Sequence, residues 1–266
     1  MKYALFFACS IVYSQQIYDL LLKDGRVIDP ASHRDARLDV AVIGSRIVKV
    51  AAGLPEAHAR VVVNVSGYLV TPGLIDINTH FAPPLKPDYN TLPYGVTTAV
   101  DGCDKQAIEH TKVRVLLLAD AGCSEAGLQF GIVREAVAQK HLPDTISSGM
   151  DWGNVLVPRA NLSTAMSIYL NLGMTEEQII ERVTSNAARA IKRPELGALN
   201  EGSVADIAVL EVQNGKFGFL DSARTRLDAT RRFRCVLTVR NGVIVWDSDG
   251  LSIPDTLKAG PYTNFK

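Results

Sequence analysis

The sequence predicts an α/β protein with strands at both ends of the chain and alternating strands and helices in the middle. Runs rich in Val, Ile and Leu fill residues 18–65, and similar runs fill residues 205–246. Between them, residues 95–101 and 113–120 have the continuous apolar character of buried strands. We therefore expect strands from the two ends of the chain to pair into one small sheet or sandwich.

Turn and cap residues set the bounds of several elements. Asp-Gly at 24–25 and Asn-Gly at 241–242 each interrupt an apolar run and are typical of two-residue hairpin turns. Residues 132–139 have a helical pattern. Thr-Glu-Glu-Gln at 175–178 is a capping box, which predicts a helix from there to about residue 184.

Composition excludes some classes of partner. The chain has 266 residues, of which 47% are hydrophobic and 21% are charged, as in ordinary globular proteins. Basic and acidic residues number 28 each, so no basic surface favours nucleic acid. No apolar run of about 18 residues lies away from the N-terminus, so we expect no membrane span.

The first residues resemble a short secretory signal. One lysine precedes an apolar run, and small Ser14 follows it, so residues 1–16 predict a signal peptide cleaved between about Ser14 and Gln16. A buried first strand is the alternative. Export predicts a secreted or periplasmic protein that keeps Cys103, Cys123 and Cys235, an odd number that leaves at least one thiol free or bridged to another chain.

The segment 71–80 has the pattern of a strand that presents metal ligands. Alternation along a strand would place Asp76, Asn78 and His80 on one face. Two imidazoles at positions 78 and 80 would suit a divalent cation, but position 78 is an amide. Zinc prefers imidazole, thiolate or carboxylate, so this strand is short of one good ligand.

Several motifs in this order resemble the amidohydrolase superfamily, and most of all its dihydroorotase-like and N-acyl deacetylase-like metallohydrolases. The motifs lie at residues 18–29, 71–76, 94–101, 142–148, 184–191 and 196–210. The resemblance implies a TIM-like (β/α)₈ barrel inserted into a β-sandwich that both chain ends build. It also implies one or two divalent metals, usually zinc, which activate a water molecule for amide hydrolysis. The domains would be 17–70 with 203–253 for the sandwich and 71–202 for the barrel.

The length of the middle segment predicts an incomplete barrel. Eight βα units take about 250 residues, and residues 71–202 provide roughly 130, enough for about four units. The join lies near residues 119–124, where sequence like the family's third strand runs into sequence like its sixth. The missing part would carry strands four and five, which supply the bridging lysine and a metal-binding histidine in the family.

The resemblance also assigns the candidate site. The two histidines of the family's first strand fall on Asn78 and His80, and a later metal-binding histidine falls on Cys123. The catalytic aspartate falls on Gly149, with Asp151 two residues later as its replacement. Cys103 and Cys123 with His80 form an alternative set of three zinc ligands.

Two functions from different classes follow. The first is a zinc-dependent hydrolase of non-peptide carbon–nitrogen bonds in small cyclic amides or N-acyl compounds, in which His80, Cys123 and Asp151 hold the metal and a carboxylate takes a proton from its water. The second is a catalytically degenerate relative that serves as a binding or assembly module. A homo-oligomer is a possible outcome of the unpaired strand edges in an incomplete barrel.

Overall fold

The computed structural model describes most of the chain outside both termini and several segments of the middle. The described residues are 17–81, 85–101, 112–117, 128–151, 153–154 and 160–254. The predicted signal peptide, Cys103 and Cys123 lie outside them. Within the described ranges, no helix is both long and apolar enough to cross a membrane.

Strands dominate both ends of the chain, and helices are confined to the middle, as the sequence predicts. The strands are β1 (Tyr18–Asp29), β2 (Arg34–Ile43), β3 (Arg46–Ala51), β4 (Ala59–Asn64), β5 (Leu69–Pro72), β6 (Leu74–Thr79), β7 (Val96–Asp101), β8 (Arg114–Leu117), β9 (Ile207–Leu220), β10 (Arg226–Arg240) and β11 (Val243–Asp247). The helices are α1 (Pro87–Thr91), α2 (Phe130–Ala138), α3 (Leu162–Asn171), α4 (Glu176–Val183) and α5 (Ser185–Ala190). The predicted capping box begins α4, with the Thr175 hydroxyl and the Gln178 side chain each accepting the other residue's backbone N–H.

Strands from both ends pair in one eight-stranded sheet, which we call the terminal sheet. Its order is β11-β10-β9-β5-β1-β2-β3, and β4 also pairs with β1. One edge of β1 is shared, because residues 18–23 pair with β4 and residues 26–27 pair with β5. Antiparallel pairing of β5 with β9 joins the two ends and places Pro72 opposite Ile207.

The two predicted hairpin turns have different outcomes. Asn241 and Gly242 form the turn between β10 and β11, both with positive φ as a type I′ turn requires. The hairpin predicted at Asp24 and Gly25 is wrong, because β1 continues through both residues with a register shift against β2. A Cβ at Gly25 would lie 2.4 Å from Val70 Cγ2, so the glycine permits close packing inside the sheet instead of a turn.

The hairpin turns at the two ends of the terminal sheet touch each other. A Cβ on Gly242 would lie 1.9 Å from the Gly44 carbonyl oxygen in the β2–β3 turn. The Gly242 N–H donates to the Ala205 carbonyl at 2.8 Å, and the Ala205 N–H donates to the Ser45 carbonyl at 2.8 Å. These contacts, together with an apolar core drawn from residues 20–70 and 199–239, make the two chain ends one structural unit.

The middle of the chain forms part of a (β/α) barrel. Strands β6, β7 and β8 are parallel neighbours in that order. A parallel bridge between Thr79 and Met150 adds a fourth position on the other side of β6. The predicted α/β class, with an incomplete barrel and a β unit from both chain ends, is therefore confirmed.

A buried ionic cluster joins the terminal sheet to the barrel. The Asp206 carboxylate, just before β9, accepts hydrogen bonds from Arg114 Nη1 and Arg240 Nη1, each at 3.1 Å, and from the Asn241 N–H at 2.8 Å. Arg114 begins β8, and the Gly73 N–H before β6 donates to the Asp206 carbonyl at 2.8 Å. The terminal sheet is therefore attached at the amino ends of the barrel strands.

Candidate active site

The candidate site lies at the carboxyl end of β6, where a distant segment runs alongside that strand. The His80 N–H donates to the Met150 carbonyl at 2.9 Å, next to the bridge between Thr79 and Met150. His80 and Asp151 therefore follow neighbouring parallel strand positions, although they are far apart in the sequence. In barrels of this kind, residues at the carboxyl ends of the strands carry the chemistry.

A bulge changes the geometry of the proposed ligand strand. Asp76 pairs with Ala99 and Thr79 pairs with Asp101, so three steps along β6 match two along β7. The regular alternation that predicted one shared face for Asp76, Asn78 and His80 is broken between 76 and 79. Asp76 is fully buried, Asn78 is exposed and His80 is half-buried, which corrects the prediction of a common environment for the three.

Asp76 acts as an acceptor that ties β6 to the neighbouring segment. Its Oδ1 accepts the Ser148 N–H at 3.0 Å and the Asn78 N–H at 3.5 Å. Burial raises the pKa of Asp76 to about 6, against the opposing effects of the hydrogen bonds from Ser148 and Asn78 and of the nearby His80 charge. These contacts give Asp76 a structural role between β6 and the segment that carries Ser148.

The raised pKa of Asp76 predicts a pH-dependent difference between the unmodified protein and Asp76→Asn. An aspartate in the unfolded chain has a pKa near about 3.9, so the folded state binds the extra proton more tightly. The stabilisation of the folded state by this bound proton is fully present below about pH 4 and is lost as the pH rises through about 6. Over that pH range, we expect the free energy of unfolding of the variant to rise by up to about 3 kcal/mol relative to that of the unmodified protein. This figure is about two pKa units at about 1.4 kcal/mol each.

Urea unfolding of both proteins at several pH values between about 4 and 7 measures this difference. Asparagine keeps an oxygen that can accept the Ser148 N–H, so the comparison isolates the charge. A free-energy difference that does not change with pH would contradict the raised pKa.

The carboxylate of Asp151 is engaged in its own turn. Its Oδ1 accepts the N–H of Gly153 at 2.7 Å and of Asn154 at 3.0 Å. The Asp151 N–H donates to Asn154 Oδ1 at 2.8 Å, and Asn154 Nδ2 donates to the Gly149 carbonyl at 2.9 Å. Asp151 would have to release its turn before this oxygen could act on a ligand.

The residues that the structure describes do not by themselves complete a metal site. No group of three or more His, Cys, Asp or Glu side chains that could hold an ion occurs among them. His80 is a good zinc ligand, whereas Asn78 offers a neutral oxygen and Asp151 is held in its turn. Cys123, the remaining predicted ligand, lies outside the described residues.

Sequence reasoning missed the groups that bring the two halves of the site together. Ser148 and Met150 contribute backbone groups to Asp76 and His80, and buried Asp101 at the end of β7 accepts the Phe81 N–H at 3.4 Å. The position of Asp101 at the end of an apolar strand was the one signal available in the sequence.

Comparison with known proteins relates part of the chain to dihydroorotases by sequence and most of it to several enzymes by fold. No family model matches the chain. A dihydroorotase of Streptococcus pyogenes is 40% identical over 83 residues, which cover 31% of this chain and 19% of that enzyme. A dihydroorotase of Lactococcus lactis is 39% identical over the same length. The matched segment thus spans about a fifth of the curated relatives' length.

Solved structures share the fold over most of the chain. An adenine deaminase superposes with a TM-score of 0.76 at 17% identity, covering 86% of this chain and 100% of that one. A dihydroorotase gives a TM-score of 0.72 at 16% identity, covering 86% and 99%. The L-hydantoinase of Arthrobacter aurescens gives 0.62 at 14% identity, covering 87% and 97%. At these identities the structural likeness supports the fold, and the sequence match to dihydroorotases supports the kinship.

Proposed function

Because this chain is a dihydroorotase-like member of the amidohydrolase superfamily, we propose that it hydrolyses non-peptide carbon–nitrogen bonds in small cyclic amides or N-acyl compounds. A divalent metal, zinc in the first instance, belongs to this proposal, and so does export of the chain by way of residues 1–16. The names of the similar proteins, dihydroorotase, hydantoinase and adenine deaminase, support the bond class.

One observation carries the proposal. His80 and Asp151 follow adjacent parallel strand positions at the carboxyl end of the partial barrel, held there by the hydrogen bond from the His80 N–H to the Met150 carbonyl. In this proposal the imidazole of His80 is a metal ligand. Asp151, once its turn opens, presents a carboxylate that can accept a proton from an attacking water.

The described residues fit the family's metal only in part. Structural and catalytic zinc sites use three or four protein ligands. A single chain supplies His80 as a strong ligand within the described residues, and Asn78 and Asp151 as weaker or occupied ones. We therefore expect the purified protein to bind less than one zinc per chain.

A second candidate function is a binding or assembly module without catalysis. Two specific features favour it. Position 78 carries an exposed amide where the family has an imidazole, and Oδ1 of Asp151 accepts two backbone N–H groups of its own turn. Such a protein would keep the fold of its relatives and bind small amides or a protein partner without turnover.

Zinc content and turnover of a cyclic amide or an N-acetyl amino acid separate the two functions. The hydrolase predicts turnover that a chelator abolishes, and loss of both zinc and turnover in His80→Ala. The exposed His141, beyond α2, provides the matched control, since His141→Ala should change neither.

Asn78→His completes the test, because it restores the imidazole that the family carries on this strand. We expect it to raise zinc affinity. Higher zinc affinity with no turnover in either protein would reject the hydrolase and favour the binding module. Turnover that survives both the chelator and His80→Ala would contradict a role for His80 as metal ligand.

A further inference from the structure

The joint between the terminal sheet and the barrel contains more positive than negative charge. Arg114 at the start of β8 and Arg240 at the end of β10 share one carboxylate, that of Asp206. The Asp206 side chain is buried, and those of both arginines are largely buried. Two such guanidinium groups with one carboxylate leave one positive charge uncompensated. A buried charge without a partner is costly, so this joint favours a further anion.

Much of the hydrogen-bonding capacity of the two guanidinium groups is unused. Each has five N–H donors. Among the described residues, the Arg114 side chain donates only through Nη1, to Thr98 Oγ1 at 2.9 Å and to Asp206, and the Arg240 side chain donates only through Nη1, to Asp206. Arg240 Nε is buried and has no acceptor there. Both oxygens of Asp206 are already engaged by these two arginines and by the Asn241 N–H, so an acceptor for the other donors must come from elsewhere.

Two residues nearer the surface extend this charged cluster. Arg193 and Glu195 form an ion pair, and their side chains are 42% and 51% exposed. Burial lowers the pKa of Arg114, and the charges of Arg240 and Arg193 lower it further. Hydrogen bonding from Arg193 lowers the pKa of Glu195, and the Arg114 charge adds to this effect. With Asp206, the cluster therefore contains three arginines and two carboxylates, and its net charge is positive.

We infer that Arg114 and Arg240, with Arg193 at the rim, bind a small oxyanion such as inorganic phosphate at the amino ends of the barrel strands. The oxygen atoms of a phosphate match the paired N–H groups of a guanidinium. Because two of the three guanidinium groups are largely buried, a free ion can reach them and a bulky phosphate ester cannot. The bound anion neutralises the remaining charge and links β8 to β10. The site lies at the opposite strand ends from His80, so it is independent of the proposed hydrolysis.

Thermal unfolding of the full-length protein in increasing inorganic phosphate tests the site, at about pH 7 and at constant ionic strength set with sodium chloride. The Tm should rise and then level off, because the ligand stabilises only the folded protein that binds it. At about a hundredfold excess over the Kd, the rise should be roughly 5 to 10 °C. Phosphate also stabilises proteins in general by exclusion from their surface, but that effect grows steadily with concentration.

Four single substitutions make the test specific, and isothermal titration calorimetry with inorganic phosphate measures the Kd of each variant. Arg240→Gln should abolish the levelling rise in Tm, and Arg193→Gln should weaken phosphate binding several-fold. Glu195→Gln removes a competing carboxylate and should strengthen binding. Arg226→Gln, at an exposed position of β10, is the matched control and should bind as the unmodified protein does. If Arg240→Gln does not fold, the opposite shifts at positions 193 and 195 decide.

The outcomes distinguish this inference from the proposed function. One phosphate per chain, with opposite changes of Kd in Arg193→Gln and Glu195→Gln, supports the site even if no substrate is hydrolysed. A rise in Tm that does not level off, equal phosphate binding by Arg226→Gln and Arg240→Gln, or no difference between phosphate and chloride would overturn it even if turnover is found.

Discussion

Gly242→Ala is expected to lower the free energy of unfolding by about 2 to 5 kcal/mol. Position 242 has a φ of +80°, where a Cβ costs roughly 1 to 2 kcal/mol. The new methyl group would also stand 1.9 Å from the Gly44 carbonyl oxygen, so the two hairpin turns must separate, and overpacking of this kind costs roughly 1 to 3 kcal/mol. Separation would weaken the contact between the two ends of the chain and not only one turn.

Gly44→Ala is the matched control for this prediction. Gly44 also has a positive φ, +55°, but nothing lies within 4 Å of a Cβ placed on it. We expect a loss of about 1 to 2 kcal/mol from backbone strain alone. Urea unfolding followed by circular dichroism measures both variants. Equal losses in the two proteins would mean that the contact between the turns contributes nothing to stability.

Asp206→Ala is expected to lower the free energy of unfolding by about 3 to 5 kcal/mol, because it leaves two buried guanidinium groups without their carboxylate. The Asp206 side chain is 2% exposed, and the side chains of Arg114 and Arg240 are 17% and 13% exposed. Desolvation already lowers the pKa of Arg114, and the nearby Arg240 and Arg193 charges add to this, while Asp206 acts in the opposite direction. Removing Asp206 would leave mutual repulsion between cations that water cannot screen well.

Asp228→Ala provides the comparison for an exposed ion pair. Asp228 Oδ1 lies 2.8 Å from Arg226 Nε, and the two side chains are 83% and 68% exposed. A loss of about 1 kcal/mol or less is expected, as for surface pairs in general. Thermal and urea unfolding of both variants test the contrast. A small effect at position 206 would show that the buried guanidinium groups find other acceptors.

Local sequence signals predicted the elements that depend on short-range interactions. The capping box at Thr175 and the turn at Asn241 and Gly242 involve groups within three residues of one another, so the sequence contains all that forms them. Asp24 and Gly25 carry the same turn signal but lie within β1. There the Asp24 N–H donates to Asp39 Oδ1 at 2.8 Å, and Gly25 packs against Val70, contacts that only tertiary structure supplies.

Part of the candidate site could be predicted from local sequence, and part depends on tertiary contacts. The apolar strand before His80 and its polar positions were readable from the sequence. The bulge in β6 was not, because it depends on how Asp76 and Thr79 pair with Ala99 and Asp101. The contact between His80 and Met150 likewise joins segments that no local pattern connects. The predicted ligand roles of His80, Asn78, Cys123 and Asp151 stay predictions.

The pairing of Pro72 with Ile207 bears on how the terminal sheet tolerates a shortened barrel. The chain leaves the terminal sheet after β5 and returns at β9, and these two points lie opposite each other in one antiparallel ladder. The entropy cost of closing such an excursion grows only with the logarithm of its length, by about 0.6 kcal/mol per doubling. Loss of βα units from the middle therefore leaves both anchor points in register, and the terminal sheet can fold around a shortened insert as readily as around a complete one.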